Sequence, residues 1–199
     1  MTGLFVVLEG IDGSGKSTVS DLLVKRLTSM NFKAILTSEP TSSEIGIILR
    51  KYLSDPQSIP SSDALLFAAD RVEHYFHFIK PHVDEGYIVI CDRYKFSSIV
   101  YQGSQNVDKE WIRTINSIAG DPDVIFYLEL SIESSLDRLH GSNRDNLEKF
   151  ENEKYLKRII DGYEELMTPS VIRIDAEEPI EDVVEAIAKK LLELIKKSL

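Results

Sequence analysis

An unbroken apolar run, Leu4-Phe5-Val6-Val7-Leu8, leads into Glu9-Gly10-Ile11-Asp12-Gly13-Ser14-Gly15-Lys16-Ser17-Thr18, and apolar residues then recur at helical spacing at Val19, Leu22, Leu23, Leu27 and Met30. The run has the uniform character of a strand buried on both faces. The ten residues after it fit the pattern Gly, four residues, Gly-Lys-Ser/Thr, a phosphate-binding P-loop. Glycines at 10, 13 and 15 let the backbone turn its N–H groups inward with no Cβ between them and phosphate oxygens. The helix behind them aims its positive end at the same spot. In this pattern Lys16 reaches the β- and γ-phosphates and Ser17 holds a Mg²⁺ ion. Strand, loop and helix follow in the required order, which implies a nucleoside triphosphate site.

Four further apolar runs, Lys33 to Thr37, Tyr87 to Cys91, Val124 to Leu128 and Val171 to Ile174, alternate with helical patterns. That alternation predicts an α/β fold: a five-stranded parallel sheet with helices on both faces. One domain is expected from 199 residues without an internal repeat or low-complexity linker. The last helix is the plainest, with Pro179 in its first turn and Ile180, Val183, Val184, Ile187, Leu191 and Ile195 in one stripe. A second helix is expected over Asp63 to His74, ending near Pro81.

Composition narrows the partners. The net charge is −10, so a nucleic-acid polymer would be repelled, whereas small anions can still be drawn by local arginines. The single cysteine, Cys91, precludes an intrachain disulfide and suits a reducing compartment. No apolar segment approaches the roughly 18 to 20 residues of a membrane span, and no basic stretch precedes the first apolar run. A cytoplasmic location without membrane attachment is the expectation.

In open parallel sheets ligands gather at the carboxyl ends of the strands. After the second run stand Ser38-Glu39-Pro40-Thr41, and after the third Asp92-Arg93-Tyr94. Asp92, at a strand end beside a P-loop, is placed to bind Mg²⁺, and Arg93 offers a planar fork for a second phosphate. Phe67 and Arg71 share a helix face, an arrangement that suits a nucleobase. From spacing alone, though, the pair reads more simply as a core phenylalanine with an arginine snorkelling past it. The polar stretch after Leu136-Asp137-Arg138-Leu139, about residues 140 to 149, reads as an exposed helix connection or as a lid that carries Arg144 to the transferring group. His74, His77 and His82 lack supporting cysteines and read as surface or partly buried histidines.

Three P-loop classes compete. A regulatory GTPase would need an Asn-Lys-x-Asp motif, which is absent, and no signature of an ABC-type or motor ATPase occurs. A small kinase needs a second anion site, which Arg50, Arg71, Arg93, Arg138 and Arg144 could supply. The P-loop, then Leu66-Phe67-Ala68-Ala69-Asp70-Arg71, then Asp92-Arg93-Tyr94-x-x-Ser97-Ser98-x-x-Tyr101-Gln102-Gly103, together resemble the thymidylate kinases over essentially the whole chain.

The resemblance implies the reaction ATP + dTMP → ADP + dTDP with Mg²⁺, on the way to dTTP, in a homodimer. It implies that Phe67 stacks on thymine and Arg71 bonds its ring oxygen, with Ser97, Ser98 and Gln102 beside the base. Tyr101 would lie against the deoxyribose, and Arg93 and Arg50 would hold the acceptor phosphate near Glu39 and Pro40. Asp12 would lie near the sugar 3′-hydroxyl and that phosphate. Arg138 would pack on the adenine, with Asp175-Ala176 on its other side. An acceptor phosphate with a second pKa of about 6 needs no strong base, so catalysis would rest on positioning and on charge neutralisation by Lys16, Mg²⁺, Arg93 and Arg144.

The chain departs from the common Arg-Glu-Pro-Gly-Gly after the second strand, and its P-loop has no arginine. The latter assigns the catalytic arginine to Arg144. The competing reading is a deoxynucleoside kinase in which Glu39 acts as general base on a hydroxyl.

Overall fold

The computed structural model describes residues 3–141 and 153–197. Its centre is a five-stranded parallel sheet in the order β2-β3-β1-β4-β5. The strands are β1 Leu4–Gly10, β2 Ala34–Ser38, β3 Ile88–Asp92, β4 Val124–Glu129 and β5 Val171–Asp175. Each lies within two residues of an apolar run in the sequence. β1 sits in the middle, with Leu8 opposite Asp92 of β3, and Asp92 in turn opposite Ser38 of β2. That register brings the P-loop, Glu39-Pro40 and Asp92-Arg93 to one rim.

Alternation along the strands divides the core. Val6, Leu8, Ile88 and Ile90 join a cluster with Leu23, Leu27, Ile187 and Leu191. These last four belong to α1 (Lys16–Ser29) and α9 (Ile180–Lys197), which pack together. Phe5, Val7, Val89 and Cys91 form a second cluster with Ile79, Tyr94 and Ala119. Full burial of such a side chain is worth roughly 1.5 to 3 kcal/mol, so the two stripes dominate the attachment of helices to sheet. The helix α2 (Glu44–Leu53) packs on α3 (Pro60–His74), and α5 (Lys95–Gly103) packs on α6 (Lys109–Ile115) and α8 (Glu153–Glu164).

The helix expected from Asp63 to near Pro81 is present but is not one regular helix, and it ends at Asp84. α3 passes into a π-helical turn, Tyr75–Ile79, and continues as α4, Lys80–Asp84. Pro81 is tolerated because it falls in the first turn of α4, where its missing N–H is not needed. α7 (Ile132–Gly141) leads up to the undescribed residues, and the expected lid beyond it, with Arg144, lies outside the described residues.

Candidate active site

Two adjoining cavities open at the rim. The larger, about 690 Å³, is lined by Gly13, Gly15, Lys16, Ser17, Thr18, Asp92, Arg50 and Arg138 among others. The smaller, about 160 Å³, is lined by Phe67, Arg71, Ser97, Tyr101 and Gln102 together with Leu53, Ser58 and Gln105. Asp12, Glu39, Pro40 and Arg93 line both, so they form the shared wall.

The larger cavity is built on the P-loop. Lys16 is buried, and its Nζ donates to the carbonyls of Gly10 (3.0 Å) and Ile11 (2.7 Å) and to Ser14 Oγ (3.3 Å). Burial and neighbouring Arg93 pull its pKa down to about 8, against the opposing pull of Asp12, Asp92 and Glu9. Ser17 Oγ donates to Asp92 Oδ2 at 2.6 Å, while Asp92 Oδ1 is buried with no hydrogen-bond partner among the described residues. A hydroxyl and a carboxylate with an unanswered oxygen form a hard, oxygen-only donor set that fits Mg²⁺.

α7 forms the far side of this cavity. Ser135 Oγ donates to the Asp12 carbonyl at 2.7 Å, and a Cβ on Gly13 would stand 3.0 Å from the Ser135 carbonyl oxygen. Arg138 donates to the Ala176 carbonyl (2.8 Å) and the Gly13 carbonyl (3.4 Å). Glu177 clasps the start of α7, accepting from Ser131 N (2.9 Å) and Ser134 Oγ (2.6 Å). Those bonds hold the Glu177 carboxyl down at about 2.

The smaller cavity depends on buried charge. Arg71 is 1% exposed, so the guanidinium does not snorkel to water. Its Nε donates to Glu39 Oε2 (2.8 Å), and Nη2 lies 2.6 Å from the same oxygen and donates to the Tyr94 carbonyl (3.1 Å). Nη1 donates to Ser98 Oγ (3.1 Å) and to Asn116 Oδ1. Each of the three nitrogens is thus engaged. Glu39 also meets His74 Nδ1 at 3.0 Å, and His74 Nε2 lies 2.6 Å from Thr37 Oγ1. The fork is pre-set with one edge on the cavity that Phe67 also lines.

Arg93 stands in the shared wall, with φ of 71°, a left-handed conformation that side chains seldom adopt. It pairs with Asp12, and donates to Ser97 Oγ (3.0 Å) and Tyr101 Oη (3.2 Å), the Tyr101 ring lying under its guanidinium at 4.9 Å. Burial pushes the Asp12 carboxyl up, but Arg93, Lys16 and a hydrogen bond from Tyr101 more than offset this, leaving it below the usual range.

Sequence reading singled out most of these wall and cavity residues. Four of its positions lie back from the cavities: Gly10 and Ser14 accept from Lys16, Ser98 accepts from Arg71, and the Ala176 carbonyl accepts from Arg138. Arg50 lines the larger cavity, but two of its N–H groups go to the carbonyls of Pro40 and Thr41. The departing loop has its own anchor, since buried Asp70 accepts from Thr41 N (2.7 Å), Thr41 Oγ1 and Ser43 Oγ (2.9 Å). The histidines are apart: His74 is in the Glu39 network, His77 meets Glu73 at 3.1 Å, and His82 meets the Phe78 carbonyl at 2.7 Å. Glu9, Asp70, His74, Asn116, Ser135 and Glu177 are supporting residues whose partners lie far along the chain; Glu9 and Asp70 fall inside the quoted motifs without a role assigned there, and the other four have no local motif to mark them.

Two adjoining cavities, one with a phosphate-binding loop and one with an aromatic ring beside a guanidinium, can hold a nucleoside triphosphate facing a second nucleotide. Comparison with known proteins gives the same direction. The family model described as thymidylate kinase matches residues 8–187. A thymidylate kinase of Caldicellulosiruptor saccharolyticus is 40% identical over 205 residues, covering 99% of this chain and all of the relative. One of Brachyspira hyodysenteriae is 37% identical over 194 residues, covering 97% and 95%. A probable thymidylate kinase of Caldivirga maquilingensis is 46% identical over 163 residues, covering 80% and 78%. With a family match over nearly its whole length and relatives this similar end to end, the chain belongs to the thymidylate kinase family.

Proposed function

We propose that this chain transfers the γ-phosphoryl group of ATP to the 5′-phosphate of dTMP, yielding ADP and dTDP. The observation that carries the reading is the wall common to both cavities, with Arg93 and Asp12 between the P-loop and the Phe67–Arg71 pocket. In this reading Lys16 binds the β- and γ-phosphates of ATP, and Arg138 and the Ala176 backbone flank the adenine. Phe67 stacks on thymine, and Arg71 shares an N–H with its ring oxygen, the 3.1 Å bonds to Ser98 and to the Tyr94 carbonyl being the longest it makes. Ser97, Gln102 and Tyr101 border base and sugar.

Mg²⁺, when bound by Ser17 and Asp92, supplies neutralisation of the β- and γ-phosphate charge. Two anions must approach each other, and Lys16 and Arg93 offset their repulsion. Arg144 is assigned the remaining charge on the transferring group, because the P-loop carries no arginine.

A deoxynucleoside kinase would need Glu39 as general base. Here Glu39 is 4% exposed and engaged by Arg71 and His74 on both oxygens, which argues against that role. The homodimer and the cytoplasmic setting belong to the same proposal. The dimer draws support from the exposed Ile47, Ile48 and Tyr52 of α2, Leu65 of α3, and Phe76 and Ile118. No helix among the described residues is long and apolar enough to cross a membrane.

A panel of nucleosides and monophosphates with ATP and Mg²⁺ tests the reaction. Turnover of dTMP without turnover of thymidine is expected; the reverse would favour the deoxynucleoside kinase.

A further inference from the structure

Glu9 is the next-to-last residue of β1 and is fully buried. Its contacts are donors from two other elements. Oε1 accepts from Tyr94 N (2.9 Å) and Ser97 N (3.1 Å), and Oε2 accepts from Ser97 Oγ (2.7 Å) and Tyr163 Oη (2.9 Å). The nine-residue helix α5 has Tyr94 as its N-cap and no side-chain cap of its own, so Glu9 serves as that cap from across the sheet. A buried carboxylate needs such donors to offset its lost hydration.

The arrangement bears on the residue just before α5. Arg93 N donates to the Leu8 carbonyl at 3.0 Å and Tyr94 N donates to Glu9, so two consecutive residues of β1 hold the peptide N–H groups on either side of the Arg93 Cα. That pinning keeps Arg93 at its φ of 71°. The side chain is held through the same carboxylate: Ser97 gives its proton to Glu9, leaving its lone pairs to accept from Arg93 Nη1 at 3.0 Å. Tyr163 of α8 completes the triangle, lying 3.2 Å from Ser97 Oγ.

We infer that Glu9 is a positioning residue for Arg93, aiming its guanidinium at the acceptor phosphate through the capped turn and through Ser97. This rests on the reading of Arg93 as an acceptor-phosphate residue. It adds to the P-loop sequence a role that faces away from the loop's own nucleotide.

The test is calorimetric binding of dTMP and of thymidine, which lacks the phosphate, to the full chain and to Glu9→Gln, Ser97→Ala, their double variant and Arg93→Met. Glu9→Gln should weaken dTMP about tenfold or more while changing thymidine less than twofold, as loss of an aimed charge-assisted contact predicts. Ser97→Ala also removes a hydroxyl from the wall of the smaller cavity, so it should weaken both ligands, dTMP several-fold more than thymidine, and in the double variant the ratio of the two should be little worse than in the more affected single. If Glu9→Gln melts out, Ser97→Ala carries the comparison alone. Equal weakening of both ligands, or unchanged dTMP binding, would overturn the inference while Arg93→Met still separates the ligands. If Arg93→Met fails to separate them, the reading of Arg93 falls, and the role of Glu9 with it.

Discussion

The two cavities are made differently. The larger one rests on consecutive residues, Gly10 to Thr18, whose backbone turns between β1 and α1. The smaller one is assembled from side chains of α3, α5, the loop after β2 and the turn after β3, joined by buried charge. A backbone site offers the same N–H groups to any triphosphate. A site of side chains distinguishes one base or sugar from another, because each buried group must find its own partner. In the proposed reading, donor binding is thus locally encoded, and acceptor choice is a property of the assembled fold.

This contrast can be broken most severely at Arg144. If the donor loop lacks a charge that another segment supplies, Arg144→Ala should lower kcat by about a thousandfold with little change in ATP affinity; steady-state kinetics with unchanged kcat would remove that assignment. Next comes Arg71→Lys. It should cost about a hundredfold in kcat/KM for dTMP, because a single ammonium cannot replace three engaged nitrogens. It should also lower the melting temperature, since breaking a buried pair costs roughly 3 to 5 kcal/mol. Calorimetry showing full stability would mean that Glu39 does not depend on it.

Smaller effects sharpen the distinction. Asp70→Asn loosens Thr41 and Ser43 and should raise KM for dTMP about fivefold, leaving KM for ATP unchanged; equal changes in both would mean that the loop serves the two sides alike. The smallest effect concerns the donor side's own side-chain clasp. Glu177 is depressed from 4.5 to about 2 by its bonds from Ser134 and Ser131. Its contribution is therefore fully present above about pH 4.5 and is lost as pH falls through about 2. A carboxyl NMR titration should give a midpoint near 2, with the Ser131 amide shifting in step; a midpoint near 4.5 would show the clasp open.

The strands were legible in the sequence because apolar runs report burial directly, and Asp92 could be set beside the P-loop because ligands gather at strand ends. Partners were not legible. Asp70 and Arg71 are adjacent polar residues in an amphipathic helix, a pattern that periodicity assigns to a surface. Yet Asp70 anchors Thr41, and Arg71 reaches Asn116, 45 residues away. The bond from Ser97 Oγ to Glu9 spans 88 positions. Pro81 marked the end of the helical path to within three residues, but the π turn that precedes it left no sign in the periodicity.

Gly13 has φ of +80°, and its missing side chain would point at the Ser135 backbone 3.0 Å away. Both facts close that position to an extended residue. An arginine there would not be a one-step exchange for this chain. The Ser135 backbone would have to give by a few tenths of an ångström, which strains the neighbouring Ser135–Asp12 bond. At position 13, then, the left-handed backbone and the neighbouring helix together favour glycine over arginine.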